Sequence, residues 1–378
     1  MDLNYYLNPV SLEKPANYST GKEHFRDNII IHTQNNSLKN YNFDIAIIGV
    51  NEERNSLNIG CAKSPDIIRT YLYQLSKISG KLKVADLGNI KNGNTINDSY
   101  FALRDIIIEL LSRNIVPIIV GGSHDLTYSL YLAYKHLNKS FNLLTIDSKI
   151  DIGTTKSEIN SYSYLSKILL NKKKTVKKYI NIGHQNYLTD EKDINLLEKL
   201  NYESIRLGQI RSKITETEPL IRDSNVISID VSAIKQADAP GHAFPSPNGL
   251  TSDEICQISK YAGLSDNINA FGIFEVNPDF DYYNQTSNLA AQIIWIFIES
   301  MNNRFNENPS IDETNFQKFI VDLSNYEKKI IFYKSLKSSR WWIEIPTENN
   351  STEIISCNYE DYMKAYNGEI PEIYLKYL

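Results

Sequence analysis

The chain has 378 residues, 42% of them hydrophobic and 22% charged, with a formal net charge of −5. That mildly acidic balance excludes a dedicated nucleic-acid surface, and the composition is that of a soluble globular protein with one large domain or two smaller ones. Cys61, Cys256 and Cys357 are widely spaced and form no CxxC pair, which excludes a disulfide framework or a zinc cluster and fits a reducing compartment.

"MDLNYYLNPVSLEKP" (1–15) has no basic start followed by an apolar run and is not read as a secretory signal. Residues 1–42 are polar and mixed, and read as an arm wrapping a core. From residue 43 short apolar runs recur, "FDIAIIGV" (43–50), "KVADLG" (83–88), "IVPIIVGG" (115–122) and "FNLLTID" (141–147). They continue with "KYINIGH" (178–184), "YESIRLG" (202–208), "NVISIDV" (225–231) and "NAFGIFEV" (269–276). Apolar throughout rather than alternating, these read as about eight strands buried on both faces. Helix-like segments between them predict right-handed crossovers and one parallel sheet.

Among the helices, "SPDIIRTYLYQL" (64–75) opens with a serine cap and proline, and "SDEICQISKYAG" (252–263) opens with serine and closes at Gly263. "NKKKTVKK" (171–178) reads as a solvated helix end or loop. "NLAAQIIWIFI" (288–298) is interrupted by Gln292 and is too short to span a bilayer, so no membrane insertion is expected and the location is read as cytoplasmic. The core is bounded at 43–302, followed by a C-terminal extension, 303–378, packed on it. There "KKIIFYKS" and "RWWIEIP" predict a β-hairpin, and "YEDYMKAYNGEIP" predicts a short helix closed by Gly368. Trp341 and Trp342 are expected to pack the extension, with their rings on opposite faces of a strand.

In an open parallel sheet, ligands bind beyond the carboxyl ends of the strands. Here the third strand runs into "GGSHD" with His124, and the fourth into "DSKID" with Asp147, Lys149 and Asp151. The seventh runs into "SIDVS" with Asp230 and Ser232, and the eighth into "FEVNP" with Glu275. A histidine and three aspartates at one sheet edge form a metal-ligand set, or else a relict site satisfied by Lys149 and backbone N–H groups. His124 is otherwise a hydrogen-bonded cap of a helix over 125–138, and Glu275 otherwise a partner of Lys149. His184 and His242, on loops at strand ends, either support the fold or line a pocket; "DAPG" (238–241) and "PSPNG" (245–249) read as rigid loops.

These segments resemble, in order, the arginase family (ureohydrolases: arginase, agmatinase, formimidoylglutamase). "GGSHD" (121–125) stands for GGDHS, "DSKID" (147–151) for DAHxD, "SIDVSAIKQADAPG" (228–241) for SxDxDxxDPxxAPG and "FEVNP" (274–278) for a VEVNP-like strand end. "GCAKSPDIIR" (60–69), "ADLGNI" (85–90), "INIGHQ" (180–185) and "TSNLAAQI" (286–293) add to it. The resemblance covers about residues 43–302 and implies an arginase-like three-layer α/β/α sandwich. The arm and the extension fall outside it, as in a divergent branch often labelled formimidoylglutamase.

The resemblance further implies a two-manganese centre that activates water against a guanidinium or amidine carbon. Its first ion would use His124, Asp147, Asp151 and Asp230, all present; its second would use Asp147, Asp230 and two residues that here are Lys149 and Ser232. A protonated lysine cannot coordinate and a neutral serine is a poor substitute for carboxylate, so the expected cofactor is none or one Mn2+. The family's proton-shuttling histidine has no counterpart in 151–165, while Glu275, which holds the amidinium end of substrate, is retained. Lys149 is expected to set its ammonium in the vacated position and to pair with Asp147, Asp230 or Glu275. Such a pair gains roughly 4 kcal/mol gross at 4 Å and an effective dielectric near 20.

Two functional readings follow. In the first the chain is a catalytically degraded ureohydrolase homologue, a pseudoenzyme acting as a binding or scaffold protein for an unidentified protein partner. In the second it is an active formimidoylglutamase-like hydrolase of C–N bonds in a small linear amidine or guanidine. That enzyme would use one metal, Lys149 as surrogate cation, Glu275 on the amidinium and Asp151 beside them. A homo-oligomer is compatible with either.

Overall fold

The computed structural model describes residues 3–11, 23–36, 42–153, 158–171, 174–310, 312–323, 328–347 and 351–377. Lys172 and Lys173 of the basic run, and residues 154–157 of the stretch searched for a shuttle histidine, lie outside them.

All eight expected strands form. They are β1 (Ile45–Val50), β2 (Val84–Ile90), β3 (Val116–Gly121), β4 (Phe141–Ile146), β5 (Val176–His184), β6 (Glu203–Arg206), β7 (Val226–Asp230) and β8 (Ala270–Phe274). Their spatial order is β2-β1-β3-β8-β7-β4-β5-β6, and every neighbouring pair is parallel. Alternation along β1 shows why the runs had to be apolar throughout. Ile45 and Ile47 enter one core with Phe297 and Ile294 of the helix Gln285–Met301, and Ala46 and Ile48 enter the opposite core with Ile106 and Leu110 of the helix Ile96–Ser112. Helices therefore cover both faces, the three-layer arrangement expected.

Two motif residues prove to be structural. Arg69, on the helix Ser64–Leu72, is fully buried and donates from Nε and Nη2 to the Asp86 carboxylate of β2 at 2.8 and 3.0 Å. Tyr73 donates to the same carboxylate at 2.8 Å, pinning the helix to the sheet. The expected serine caps are corrected. Ser64 lies inside its helix and donates to the Gly121 carbonyl. The helix Ser252–Leu264 is capped by Thr251, which exchanges hydrogen bonds with Glu254 in a capping box.

The described part of the arm adds Leu7–Asn8 and Ile30–Ile31 alongside β2, covering that edge of the sheet. Among the described residues no helix is long and apolar enough to cross a membrane.

The C-terminal extension holds a four-stranded antiparallel sheet, β9 (Phe316–Leu323), β10 (Lys328–Ser335), β11 (Trp341–Pro346) and β12 (Thr352–Cys357), in that order. The expected hairpin is its middle pair; the flanking strands were not anticipated. The helix Tyr359–Tyr366 follows as expected, and Gly368 turns the chain with φ +88°. Trp341 stacks on Tyr362 at 4.7 Å between centroids, while Trp342 faces the other way, meeting Phe316 edge-on at 5.2 Å. The Arg222 guanidinium of the core helix Thr217–Arg222 lies 4.2 Å from the Trp342 ring centroid. It donates to the carbonyls of Trp341 at 2.9 Å and Cys357 at 3.3 Å.

Candidate active site

The four strands that end in functional residues, β3, β8, β7 and β4, are neighbours at the middle of the sheet. His124, Asp230 and Asp147 are thus delivered to one place by topology alone, and Asp151 joins them from the turn after β4. All four are buried. The His124 Nδ1 stands 3.5 Å from a carboxylate oxygen of each of Asp147, Asp151 and Asp230. That distance is too long for charge-assisted hydrogen bonds of about 2.7–2.9 Å. It matches donors sharing one centre, since ligands about 2.1 Å from an ion stand about 3.0–3.5 Å apart. His124, Asp147 and Asp151 each offer one ligand atom, and these atoms all lie within 4.8 Å of one another; Asp230 is not part of that group, although it approaches His124. The set therefore fits one hard cation.

His124 caps no helix side chain to backbone; it opens a short 3-10 turn, and the helix proper is Thr127–His136. Its ring is fixed by Ser228 Oγ at 2.9 Å from Nε2, by Tyr164 OH at 3.2 Å, and by Phe274, 5.5 Å away between ring centroids.

Electrostatics shows what three carboxylates cost here. Burial, then the charge of Asp147, pushes Asp151 well above the usual carboxylate range. Burial would also raise Asp230, but the His124 ring, with a smaller contribution from His242, holds it at about 2. His124 is disfavoured as a cation by burial, yet the three aspartates raise it well above an ordinary imidazole.

Glu275 follows β8 in a left-handed conformation, φ +64°, and its buried carboxylate is gripped from three sides. The His124 N–H donates to Oε1 at 2.8 Å, Ser56 Oγ to Oε2 at 2.9 Å and Asn58 Nδ2 to Oε2 at 3.1 Å. Asn58 is itself held, its Oδ1 accepting from Asn277 and from the Ala243 N–H, each at 2.8 Å. Burial, then the Asp230 charge, raises Glu275 to about 8. Ser56 and Asn58 escaped the sequence reading because they lie 219 and 217 residues from their partner. Ser228 was legible in principle, two positions before Asp230 and so on the same side of β7.

A small cavity of about 10 Å³, room for one ion or water, is lined by the three aspartates, Glu275, Lys149, Ser161, Tyr162, Ser232 and His242. Ser232 Oγ lies 3.4 Å from Asp147 Oδ1 and 3.1 Å from Ser148 Oγ. Lys149 lines the cavity but departs from expectation. Its backbone N–H donates to Asp147 Oδ1 at 2.9 Å, while its ammonium sits 4.6 Å from the centroid of the Tyr162 ring. Among the described residues it makes no ion pair with Asp147, Asp230 or Glu275. The long stem lets the charge settle on an aromatic face, where cation–π attraction asks for less desolvation than a buried pair. An ammonium and a hydroxyl at these places do not fit a second ion.

His242 is buried on the wall of the cavity, and its Nδ1 accepts from the Phe244 N–H at 2.9 Å. The proton is thereby left on Nε2, and burial lowers the ring toward its neutral form. His184 is buried at the end of β5 away from the cavity lining. Cys61 and Cys357 are buried thiols pushed up by burial, with no activated character.

Comparison with known proteins converges on the same strands. The model of the Arginase family matches residues 43–299. The formimidoylglutamase of Staphylococcus haemolyticus is 30% identical over 258 residues, 65% of this chain and 81% of that protein. The formimidoylglutamase of Bacillus subtilis is 26% identical over 276 residues, 68% and 86% of the two chains. Among solved structures, Trypanosoma cruzi formiminoglutamase with Mn2+ superimposes with a TM-score of 0.64 at 20% identity, covering 69% of this chain and 94% of that one. The Bacillus subtilis enzyme gives 0.63 at 24%, covering 69% and 88%.

Proposed function

Since the chain belongs to the arginase family, we propose that it is a hydrolase of the formimidoylglutamase type, cleaving a C–N bond in a small linear amidine with a single divalent cation. The observation that carries this reading is the equidistance of His124 Nδ1 from three carboxylates beside a separately gripped Glu275. His124, Asp147, Asp151 and Asp230 would hold the ion, Mn2+ by analogy with the Trypanosoma cruzi protein. When bound it supplies Lewis-acid charge that makes water nucleophilic near neutral pH.

The protein's own groups divide the remaining work. Glu275 accepts hydrogen bonds from the amidinium, and its three donors keep the carboxylate aimed before substrate arrives, so no reorganisation is needed then. The substrate cation also relieves the burial that raises this carboxyl. Lys149, a surrogate cation on the cavity wall, offsets the negative charge of the attacking oxygen. His242, neutral with its proton on Nε2, can donate a hydrogen bond to the leaving nitrogen, whose new proton comes from the attacking water. The reaction adds water across the amidine carbon and expels the amine.

A second reading, a degraded homologue that binds without turnover, is favoured by Lys149 and Ser232 standing where a second ion would need ligands. One experiment separates the two. Protein purified with Mn2+ is analysed for bound metal and assayed for ammonia, formamide or urea release from a panel of amidines and guanidines. About one ion per chain with turnover supports the hydrolase. Amidine binding without turnover supports the second reading, and neither metal nor amidine binding refutes both.

A further inference from the structure

We propose that the outer edge of the extension's sheet is a self-complementary interface, through which two copies of this chain join β9 to β9 in antiparallel fashion. β9 ends the sheet, and among the described residues no third strand lies beyond it. All eight of its residues pair with β10 without a slip in register, and it contains no proline. Edge strands are ordinarily blunted by bulges, prolines, brevity or charged side chains, because a straight edge presents a row of unpaired N–H and C=O groups. Of these devices this edge has only its charges, Lys318 and Asp322, which are of opposite sign. This one is long and regular, and it carries Ile320 with 62% of its surface exposed.

The sequence of the edge fixes both partner and register. Lys318, Ile320 and Asp322 share one face, and all three are exposed. A two-fold axis perpendicular to the sheet at Ile320 sets Lys318 of each copy against Asp322 of the other, and Ile320 against its own copy. On the opposite face, Phe319 meets Val321. Moving the axis to Phe319 or Val321 sets Ile320 against Lys318 or Asp322 instead and breaks both charge pairs. Of these three registers only the Ile320-centred one forms both charge pairs.

The rows also continue inward. Ile320 pairs with half-buried Ile331 of β10, and Asp322 with Lys329. The joined sheet would therefore carry four isoleucines side by side, and each Asp322 would lie between two lysines. Such cross-strand pairs are the unit of sheet stabilisation, and an isologous contact of this kind closes on itself.

The test is particle mass by sedimentation of the full chain, with circular dichroism confirming the fold of each variant. Wild-type protein is expected to contain an even number of chains. Lys318→Asp alone, or Asp322→Lys alone, sets like charges opposite each other twice. Each is expected to halve the particle mass at a concentration where the wild type is assembled, a dissociation constant raised about ten-fold or more. The double variant Lys318→Asp with Asp322→Lys is expected to restore the wild-type mass. A single chain or an odd number of chains in the wild type would overturn the proposal. So would a mass unmoved by both single variants, or a double variant that stays dissociated.

Discussion

Rebuilding the second ion site tests the site geometry most directly. In a Lys149→His, Ser232→Asp double variant, an ammonium and a hydroxyl give way to an imidazole and a carboxylate. Local charge becomes more negative by two units. Ser232 Oγ lies 3.4 Å from Asp147 Oδ1, so a carboxylate there meets a neighbouring one at about that distance. The gross repulsion is about 5 kcal/mol at an effective dielectric of 20. Proton uptake and side-chain rotation relieve part of it. A cost on the order of 2 kcal/mol remains, or a Tm about 3 °C lower in a metal-free buffer. With Mn2+ the sign reverses, because cations held there would offset the added negative charge. Bound manganese is expected to rise from about one to about two per chain, and Tm to exceed that of the wild type. The assays are metal analysis after dialysis and thermal melting with and without Mn2+. A variant that binds no more metal than the wild type, and melts at the same temperature in chelator, would refute this placement of Ser232 and Lys149.

Glu275→Gln keeps the shape but turns an acceptor edge into a donor against Ser56, Asn58 and the His124 N–H. A fall of at least about 100-fold in kcat/KM on the best amidine is expected, with bound metal unchanged; parallel loss of metal would show that Glu275 acts through His124 instead. Metal-free protein should lose stability as pH rises. Glu275 (about 8 when folded against 4.5 in the open chain), Asp151 and His124 are all raised, so the folded state holds protons that the unfolded chain has released. Tm in chelator should therefore fall between about pH 5 and pH 8 and, with Mn2+ present, rise instead, since ligands must deprotonate to bind. A metal-free Tm that climbs over that interval contradicts the assignment. Asp86→Ala strands the buried Arg69 guanidinium and should cost about 3–5 kcal/mol in chemical denaturation; a loss under about 1 kcal/mol would mean water reaches that pair.

How much of this was legible depended on how local each signal is. A run such as "FNLLTID" declares a buried strand and its functional end within seven residues, because a doubly covered parallel strand must be apolar until it meets the ligand edge. The helix 252–264 was equally clear, though Thr251 and Ser252 are both good caps and only backbone geometry chose between them. β9 was missed because "FQKFIVDL" alternates half-heartedly, its outer residues being exposed on one face and partly buried on the other. The grip on Glu275 was beyond reach, since Ser56 and Asn58 are ordinary loop residues until β1 and β8 are laid on either side of β3. Lys149 was read as an ion-pair partner of the carboxylates, whereas its ammonium lies over the Tyr162 ring. The chemistry of its head group was visible in the sequence, whereas the ring waiting beneath it was not.

The Arg222 bridge bears on how the molecule comes apart. Its guanidinium is buried, stacked on Trp342, and spent on carbonyls from two different strands of the extension. Next to it, Asp223 accepts from the N–H and hydroxyl of Ser356. Peeling the extension away would strip partners from a cation and an anion at adjacent positions while uncovering indole surface. Core and extension are therefore expected to share one fate on heating, in a single cooperative transition by calorimetry. A chain cut near residue 302 would not be a trimmed core. It would be a sticky one, exposing the face that β11 and β12 had covered.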